Sequence, residues 1–554
     1  MKKIKIYTLV VIALTAIRCG DNFFDVRPTD RLTNETFYKA EQDFVIAVNA
    51  IYPYLQGAST PNNSNNNQGG IIDDESMSDN AYHNRNWTAH YRVGNGSHSA
   101  SDFQPGITGS LLVWYPRYEG IRRANAVINR IGDIPFTSEE LKTRLVAEAR
   151  FLRAYLHFDL AFKFGGVPLV TEELTIAESA EVPQRSRKEV MDFTIEELGA
   201  IANDLPVSYT GADNGRITRG AALAFRARFA LYAAGPGVLN DISYYTIARD
   251  AAKAVMDLGV YGLHPSYAEL FTPAAENSNE IILSNQYAAP TRVHNLWGTY
   301  APPSQNGSGQ VGPLRSLLDT YETTDGLPIT TSPLYDPNNP YSNRDPRLDM
   351  TIIRPGSVFA GTTFHPTTLG DPDYVGNNSL TSSFTGLYLR KYLIESEKAV
   401  PTQSGMNVIL MRYPEVQLTY AEAKIELNEI DATVYDAINY ARGRSDVAMP
   451  PYTAAMYPDQ ASLREALRRE RRVELAFEGQ RFFDIRRWKI AELVMNGPAL
   501  GADYEDNPTT AADDANVGQP VFVEDRTFNP NRDYLWAIPP NEVVLSDLDQ
   551  NANY

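Results

Sequence analysis

The chain has 554 residues, enough to bury more than one core's worth of apolar surface, so either one large composite domain or two closely packed ones is allowed. Its composition is that of an ordinary globular protein, and its formal net charge of −18 disfavours nonspecific attraction to nucleic acid or to an anionic lipid surface. Any attachment to a membrane must therefore come from something other than a basic patch.

Lys2, Lys3 and Lys5 precede an apolar run from Ile6 to Ile17, which is too short to span a bilayer and reads as a secretory signal over 1–18. Cys19, the only cysteine, follows at once. With no second thiol to pair with, it fits the acylated residue of a bacterial lipoprotein, although Arg18 stands where a processing site normally has a small residue. The stretch from Phe23 to Pro53 reads as a tether followed by a helix, and GASTPNNSNNNQGG over 57–70 is a surface loop. From Ile71 to Trp114 the helical period is weak, while aromatics alternate with Asp, Asn, His and Gly.

The helical part then begins. Tyr118–Ile131 and Glu139–Phe164 form a first pair, the second member apolar around much of its circumference and stopped by Gly165, Gly166 and Pro168. Lys188–Leu205 and Thr218–Ala234 repeat the plan, Tyr244–Leu258 adds a helix, and Glu415–Asn428 with Ala432–Arg444 supplies another pair. Successive helical hairpins of this kind are similar to tetratricopeptide repeats, though no strict period is present. Between 261 and 412, and again over 501–534, short apolar runs such as Ile281–Leu283 and Leu387–Leu393 are separated by Pro, Gly and Asn. The fold expected is mostly α: a TPR-like right-handed helical scaffold covered by a loop-rich region with a few short strands, without a linker long enough to free a domain.

Sites of chemistry are sparse. His83, His90 and His98 match no zinc-ligand spacing and read as scattered surface, and no phosphate loop or nucleophile elbow occurs. The acidic cluster Asp73, Asp74, Glu75 and Asp79 lacks the glycine and terminal glutamate of a calcium loop and reads as a solvated turn. No catalytic residue, metal ligand or cofactor is assigned; a hydrolase would need a carboxylate pair that nothing singles out. Binding is better supported, because a sugar offers a C–H face and a rim of hydroxyls that suit an aromatic platform flanked by amides and charged groups. Two stretches have that make-up. In the first, Trp87 stands among Asp79, Asn80, Tyr82 and Tyr91; in the second, Trp297 stands among Arg292, Asn295 and Tyr300.

The densest stretch is Ser462 to Lys489, with eight arginines among five acidic residues and a bulky set ending at Trp488. Ser462 is the expected N-cap, Glu465 completes a capping box, and Gly479 is the stop. Interleaved acids neutralise the run locally, so it reads as an architectural clasp and not as a nucleic-acid patch.

The run ERRVELAFEGQRFFDIRRWK resembles the C-terminal signature of the SusD/RagB family, lipid-anchored glycan-binding proteins of the Bacteroidetes cell surface. CGDNFFDVRPTDRLTNETFYKAEQDFVIAVNAIY, RFLRAYLHFDLAFKFGGVPLV, NRDPRLD and YLWAIPPNEV resemble it too, so the likeness runs from Cys19 to the end. It implies a SusD-like domain over 19–554, with an N-terminal part to about 235 and a C-terminal part from about 236. It also implies a surface-exposed outer-membrane lipoprotein that binds an oligosaccharide and delivers it to a SusC-like TonB-dependent transporter. Peptide capture, as in the RagB branch, is the alternative. The family's binding aromatics fall in the regions of Trp87 and Trp297, whereas Trp114, Trp488 and Trp536 lie in framework stretches expected to be buried.

Overall fold

A computed structural model describes residues 37–58, 70–377, 382–505 and 516–554. The signal segment and Cys19 lie outside the described residues. In chain order, helix α1 (Glu41–Asn49) and the short α2 (Ile71–Glu75) lead to strand β1 (Ala81–His83) and helix α3 (Ala89–Asn95). The scaffold follows as α4 (Trp114–Arg130), α5 (Glu139–Phe164), α6 (Arg187–Ile201), α7 (Arg219–Ala234) and α8 (Ser243–Asp257). The loop-rich half carries β2 (Ile281–Asn285), α9 (Leu296–Tyr300), β3 (Val311–Pro313) and β4 (Val408–Arg412). Helices α10 (Tyr413–Glu426), α11 (Ala432–Arg442), α12 (Gln460–Glu474) and α13 (Arg481–Arg487) precede the strands β5 (Gly497–Asp503) and β6 (Pro520–Arg526).

The helices stack in chain order, α4 on α5, α5 on α6, α6 on α7, α7 on α8 and α8 on α10. Local sequence explains the sharp ends of α5 and α7. Ser138 Oγ accepts from the Leu141 N–H (3.1 Å) and Thr218 Oγ1 from the Ala221 N–H (3.1 Å), each satisfying an orphan donor of the first turn. From Ala147 to Phe164 every side chain of α5 is at least half-buried, and Phe158 stacks on Phe229 of α7 at 3.7 Å between centroids. A helix wrapped on all sides is what its apolar circumference predicts.

All six sheets among the described residues are two-stranded and antiparallel. β1 pairs with β3 in the register Tyr82 to Gly312, β4 pairs with β2, and β5 with β6. The β5–β6 ladder runs from 497 into the 501–534 stretch and supplies two of the short strands expected of the loop-rich region. PVFVEDR alternates too briefly to announce a strand without its partner.

The arginine-rich stretch is a clasp, with Arg471, Arg481, Arg486 and Arg487 buried. Arg412 reaches Glu474 (2.6 Å) and Glu478 (2.7 Å), Arg347 reaches Glu470 (2.6 Å) and Glu474 (2.8 Å), and Arg487 grips Glu422 with two bonds of 2.6 and 2.8 Å. Two local expectations are corrected. Asp459, not Ser462, caps α12, its Oδ1 accepting the Ser462 N–H (2.9 Å) while Ser462 Oγ accepts the Asp459 N–H (3.4 Å). The reciprocal pair has moved one turn upstream, where a carboxylate faces the positive helix end. Helix α12 also ends at Glu474, so Ala476 and Phe477 belong to the turn that Gly479 closes.

Candidate functional site

The side chains named from the sequence divide by burial. Trp87 is 42 % exposed, whereas Trp114, Trp297, Trp488 and Trp536 are all buried. Its exposure follows from the turn that carries it. After β1, the Thr88 N–H and Oγ1 both donate to the Arg85 carbonyl (3.0 and 2.9 Å), and Thr88 Oγ1 accepts the Tyr91 N–H (3.3 Å) to start α3. With its backbone groups satisfied at such short range, the turn leaves its aromatic side chain facing outward.

Two supports hold this turn. The Ala89 N–H donates to the Gly109 carbonyl (2.7 Å), and Gly109, at φ +74°, lies so close that a Cβ there would stand 2.2 Å from the Trp87 carbonyl. On the other side the Asn84 N–H donates to the Gln310 carbonyl (2.9 Å) and Asn84 Nδ2 to the Gly309 carbonyl (3.0 Å). The guanidinium of Arg85 lies 5.6 Å from the Trp87 ring centroid, and Asn86 is exposed beside it.

Behind the platform, half-buried Tyr91 meets buried Tyr82 edge to face at 5.9 Å, and Tyr82 packs on Phe384 at 5.7 Å. Burial, with the Glu524 carboxylate nearby, pushes the Tyr91 hydroxyl above its ordinary pKa, so it stays a neutral donor. Phe384, and the exposed Phe522 of β6, were missed by the sequence reading. Both sit in the loop-rich half, where no periodicity marks them.

Asp79 and Asn80, expected beside Trp87 at an open platform, are instead buried among arginines. Asp79 is held by Arg481 through bonds of 2.7 and 2.9 Å and by Arg472 at 2.9 Å, while Asn80 Oδ1 accepts from Arg472 Nε (2.7 Å). Burial alone would raise the Asp79 carboxyl, but Arg472 and Arg481 outweigh it and hold the pKa at about 2. These two residues belong to the clasp. They fasten the base of the Trp87 segment to the far end of the chain.

The second stretch is corrected more fully. Trp297 is 0 % exposed: it stacks on Phe359 at 5.6 Å, donates Nε1–H to the Gln305 carbonyl (2.7 Å) and packs in a small core with Ile353, Phe364 and Tyr388. Tyr300 is equally buried, its hydroxyl donating to Asp73 Oδ1 (2.8 Å). Arg292 lies over Tyr287 at 4.3 Å and bonds Asn285 Oδ1 (2.8 Å), and Asn295 is half-buried ahead of α9. Both rings were drawn inward because partners 60 to 230 residues away supply a matching face or acceptor.

The acidic cluster and the histidines are also interior, not a solvated turn and scattered surface. Asp73, Asp74 and Glu75 form buried α2, and His83, His90 and His98 are buried near it or near Asp533. Burial raises the Glu75 carboxyl to about 7, against hydrogen bonds from Asn80 Nδ2 (2.7 Å) and the Gly479 N–H (3.0 Å). No group of three or more His, Cys, Asp or Glu among the described residues is placed to hold a metal ion.

The architecture is thus stacked helical hairpins roofed by a loop-rich half, with a braced aromatic turn at the surface. Residues 275–554 match the family model described as the SusD family, and residues 22–231 match one described as starch-binding associating with outer membrane. The chain belongs to the SusD family. A SusD-like carbohydrate-binding protein of Bacteroides fragilis is 31 % identical, with a TM-score of 0.81 over 92 % of this chain and 99 % of that one. A second SusD-like protein of that organism is 28 % identical, with a TM-score of 0.77 over 95 % of this chain and 100 % of that one. SusD-like protein P25 of Formosa agariphila is 23 % identical over 95 % of this chain and 97 % of its own. The family's members are non-catalytic, surface-exposed proteins of the outer membrane that bind glycans and partner a TonB-dependent transporter.

Proposed function

We propose that this protein captures an oligosaccharide on the Trp87 turn and passes it to a SusC-like transporter, held at the membrane through acylated Cys19. The observation that carries the reading is the contrast among the tryptophans: one is presented on a doubly braced surface turn with Arg85, Asn86 and Tyr91 around it, and the other four are buried. A ring offered this way stacks on the C–H face of a sugar, and the flanking amide, guanidinium and phenol groups bond its hydroxyls. Trp87→Ala is expected to weaken binding about tenfold, or ~1.4 kcal/mol, with thermal stability unchanged. Calorimetry against a glycan identified on a polysaccharide affinity gel measures it, and equal affinity in the two proteins would remove Trp87 from the site.

For the transporter, the face we favour lies at the scaffold's edge, where a cleft of about 750 Å³ runs between α4, the 168–180 segment and the C-terminal helix Pro540–Leu545. Ile176, Val544 and Leu545 stand 93, 82 and 71 % exposed at this face. Clustered exposed aliphatics of this kind mark contact surfaces. Val544→Glu with Leu545→Glu should abolish co-purification with the transporter while leaving glycan affinity intact, and undiminished co-purification would place the contact elsewhere.

A further inference from the structure

A separate cleft of about 590 Å³ opens where the helical scaffold meets the loop-rich half, between the 207–218 loop ahead of α7, the 259–261 turn after α8, and β2. Small-molecule sites occupy roughly 300–1,000 Å³. Side-chain amides from Asn214, Asn277, Asn279, Gln286 and Asn407 line part of the wall. Asn214 Nδ2 donates to Asn277 Oδ1 (2.6 Å), Asn407 Nδ2 donates to Gln286 Oε1 (3.1 Å), and Gln286 Nε2 donates to Ser284 Oγ (2.8 Å).

A primary amide has two donors and two acceptor lone pairs, so each of these bonds orients its group without exhausting it. Asn214, Asn277 and Gln286 are exposed. Gly215, at φ +90°, lies against the Gln286 amide, where a Cβ would come within 2.7 Å. The backbone here is shaped to bring the 211–216 turn and Gln286 together.

Arg216, the one cation among the described residues of the wall, bonds Asp213 (2.6 Å) and Glu148 (3.0 Å), and the Glu276 carboxylate accepts the Asn407 N–H at Oε1 (2.7 Å). A phosphate or carboxylate would want an uncommitted cation, and Arg216 is already shared by two carboxylates. Oriented amides beside the half-buried rings of Tyr209 and Tyr261 suit a neutral ligand dense in hydroxyls. None of the residues of the Trp87 turn lines this cleft.

We infer that this cleft is a second saccharide-binding site, which takes a neutral oligosaccharide segment through the amides of Asn214, Asn277 and Gln286. It rests on the proposed function for the class of ligand only, since the two sites share no side chain. Native electrophoresis through gels containing starch, xylan, laminarin or mannan tests it. The wild type, Trp87→Ala, Asn277→Ala/Gln286→Ala and the triple variant are compared, each checked for an unchanged Tm, with Asn277→Ala alone replacing the double variant if that one melts early.

The expected result is that the double variant weakens retardation several-fold in a gel that retards the wild type, and that the triple variant loses more than either parent. If the double variant runs as the wild type does while Trp87→Ala is impaired, the second site is overturned and the platform stands. The reverse pattern overturns the platform and keeps the cleft. A wild type that no polysaccharide retards overturns both.

Discussion

Asp79 ties the base of the Trp87 segment to Arg472 and Arg481, 393 and 402 positions further along the chain. Its carboxylate is shared by buried Arg481 and by the half-buried Arg472. Removing one partner of such a group leaves uncompensated buried charge, so Asp79→Ala should cost about 3–5 kcal/mol in denaturant unfolding. Its pKa, held at about 2 against an ordinary 3.8, makes its contribution fully present above about pH 4 and lost as pH falls through 2. Glu75 has the opposite sign. With a folded pKa of about 7 against 4.5, its contribution is fully present below pH 4.5 and lost as pH rises through 7. Unfolding free energy measured between pH 4.5 and 8 should fall by roughly 3 kcal/mol on this account in the wild type. The fall should flatten in Glu75→Gln, and an equal fall in that variant would contradict the assignment. Trp297→Ala should cost about 3–5 kcal/mol through the cavity it leaves, with no first-order effect on glycan affinity.

Among the elements, the long helices were legible because each advertises itself locally. Glu139–Phe164 has a cap, a continuous apolar circumference and a Gly-Gly stop, and it folds between the expected residues. The Trp87 turn and the Trp297 helix carry equally aromatic, amide-rich sequence, and nothing within either stretch separates them. The separation comes from distant matter: Phe359, Phe364 and Tyr388 close over Trp297, whereas Gly109 and Gln310 support the Trp87 turn from beneath. Composition can nominate such a segment, and only tertiary packing decides which of its rings is left outside. The support makes a prediction at this scale. Gly109→Ala should displace the turn and weaken glycan binding about as much as Trp87→Ala, while costing only about 1–2 kcal/mol in stability, as read by calorimetry and thermal unfolding side by side.

Across the whole molecule, the clasp joins regions that lie far apart in the chain. Arg481 and Asp79 are 402 positions apart, and the Gly479 N–H reaches Glu75 across 404. The base of the turn that presents Trp87 is thus anchored by residues made 402 to 404 positions later. Closing so long a loop precedes any gain from the contacts that reward it. A growing chain that has not yet reached Arg481 has the Gly109 and Gln310 supports of the Trp87 turn but lacks the arginine anchor at its base. The anchor beneath the turn is therefore a long-range closure, made only once Arg481 docks on Asp79.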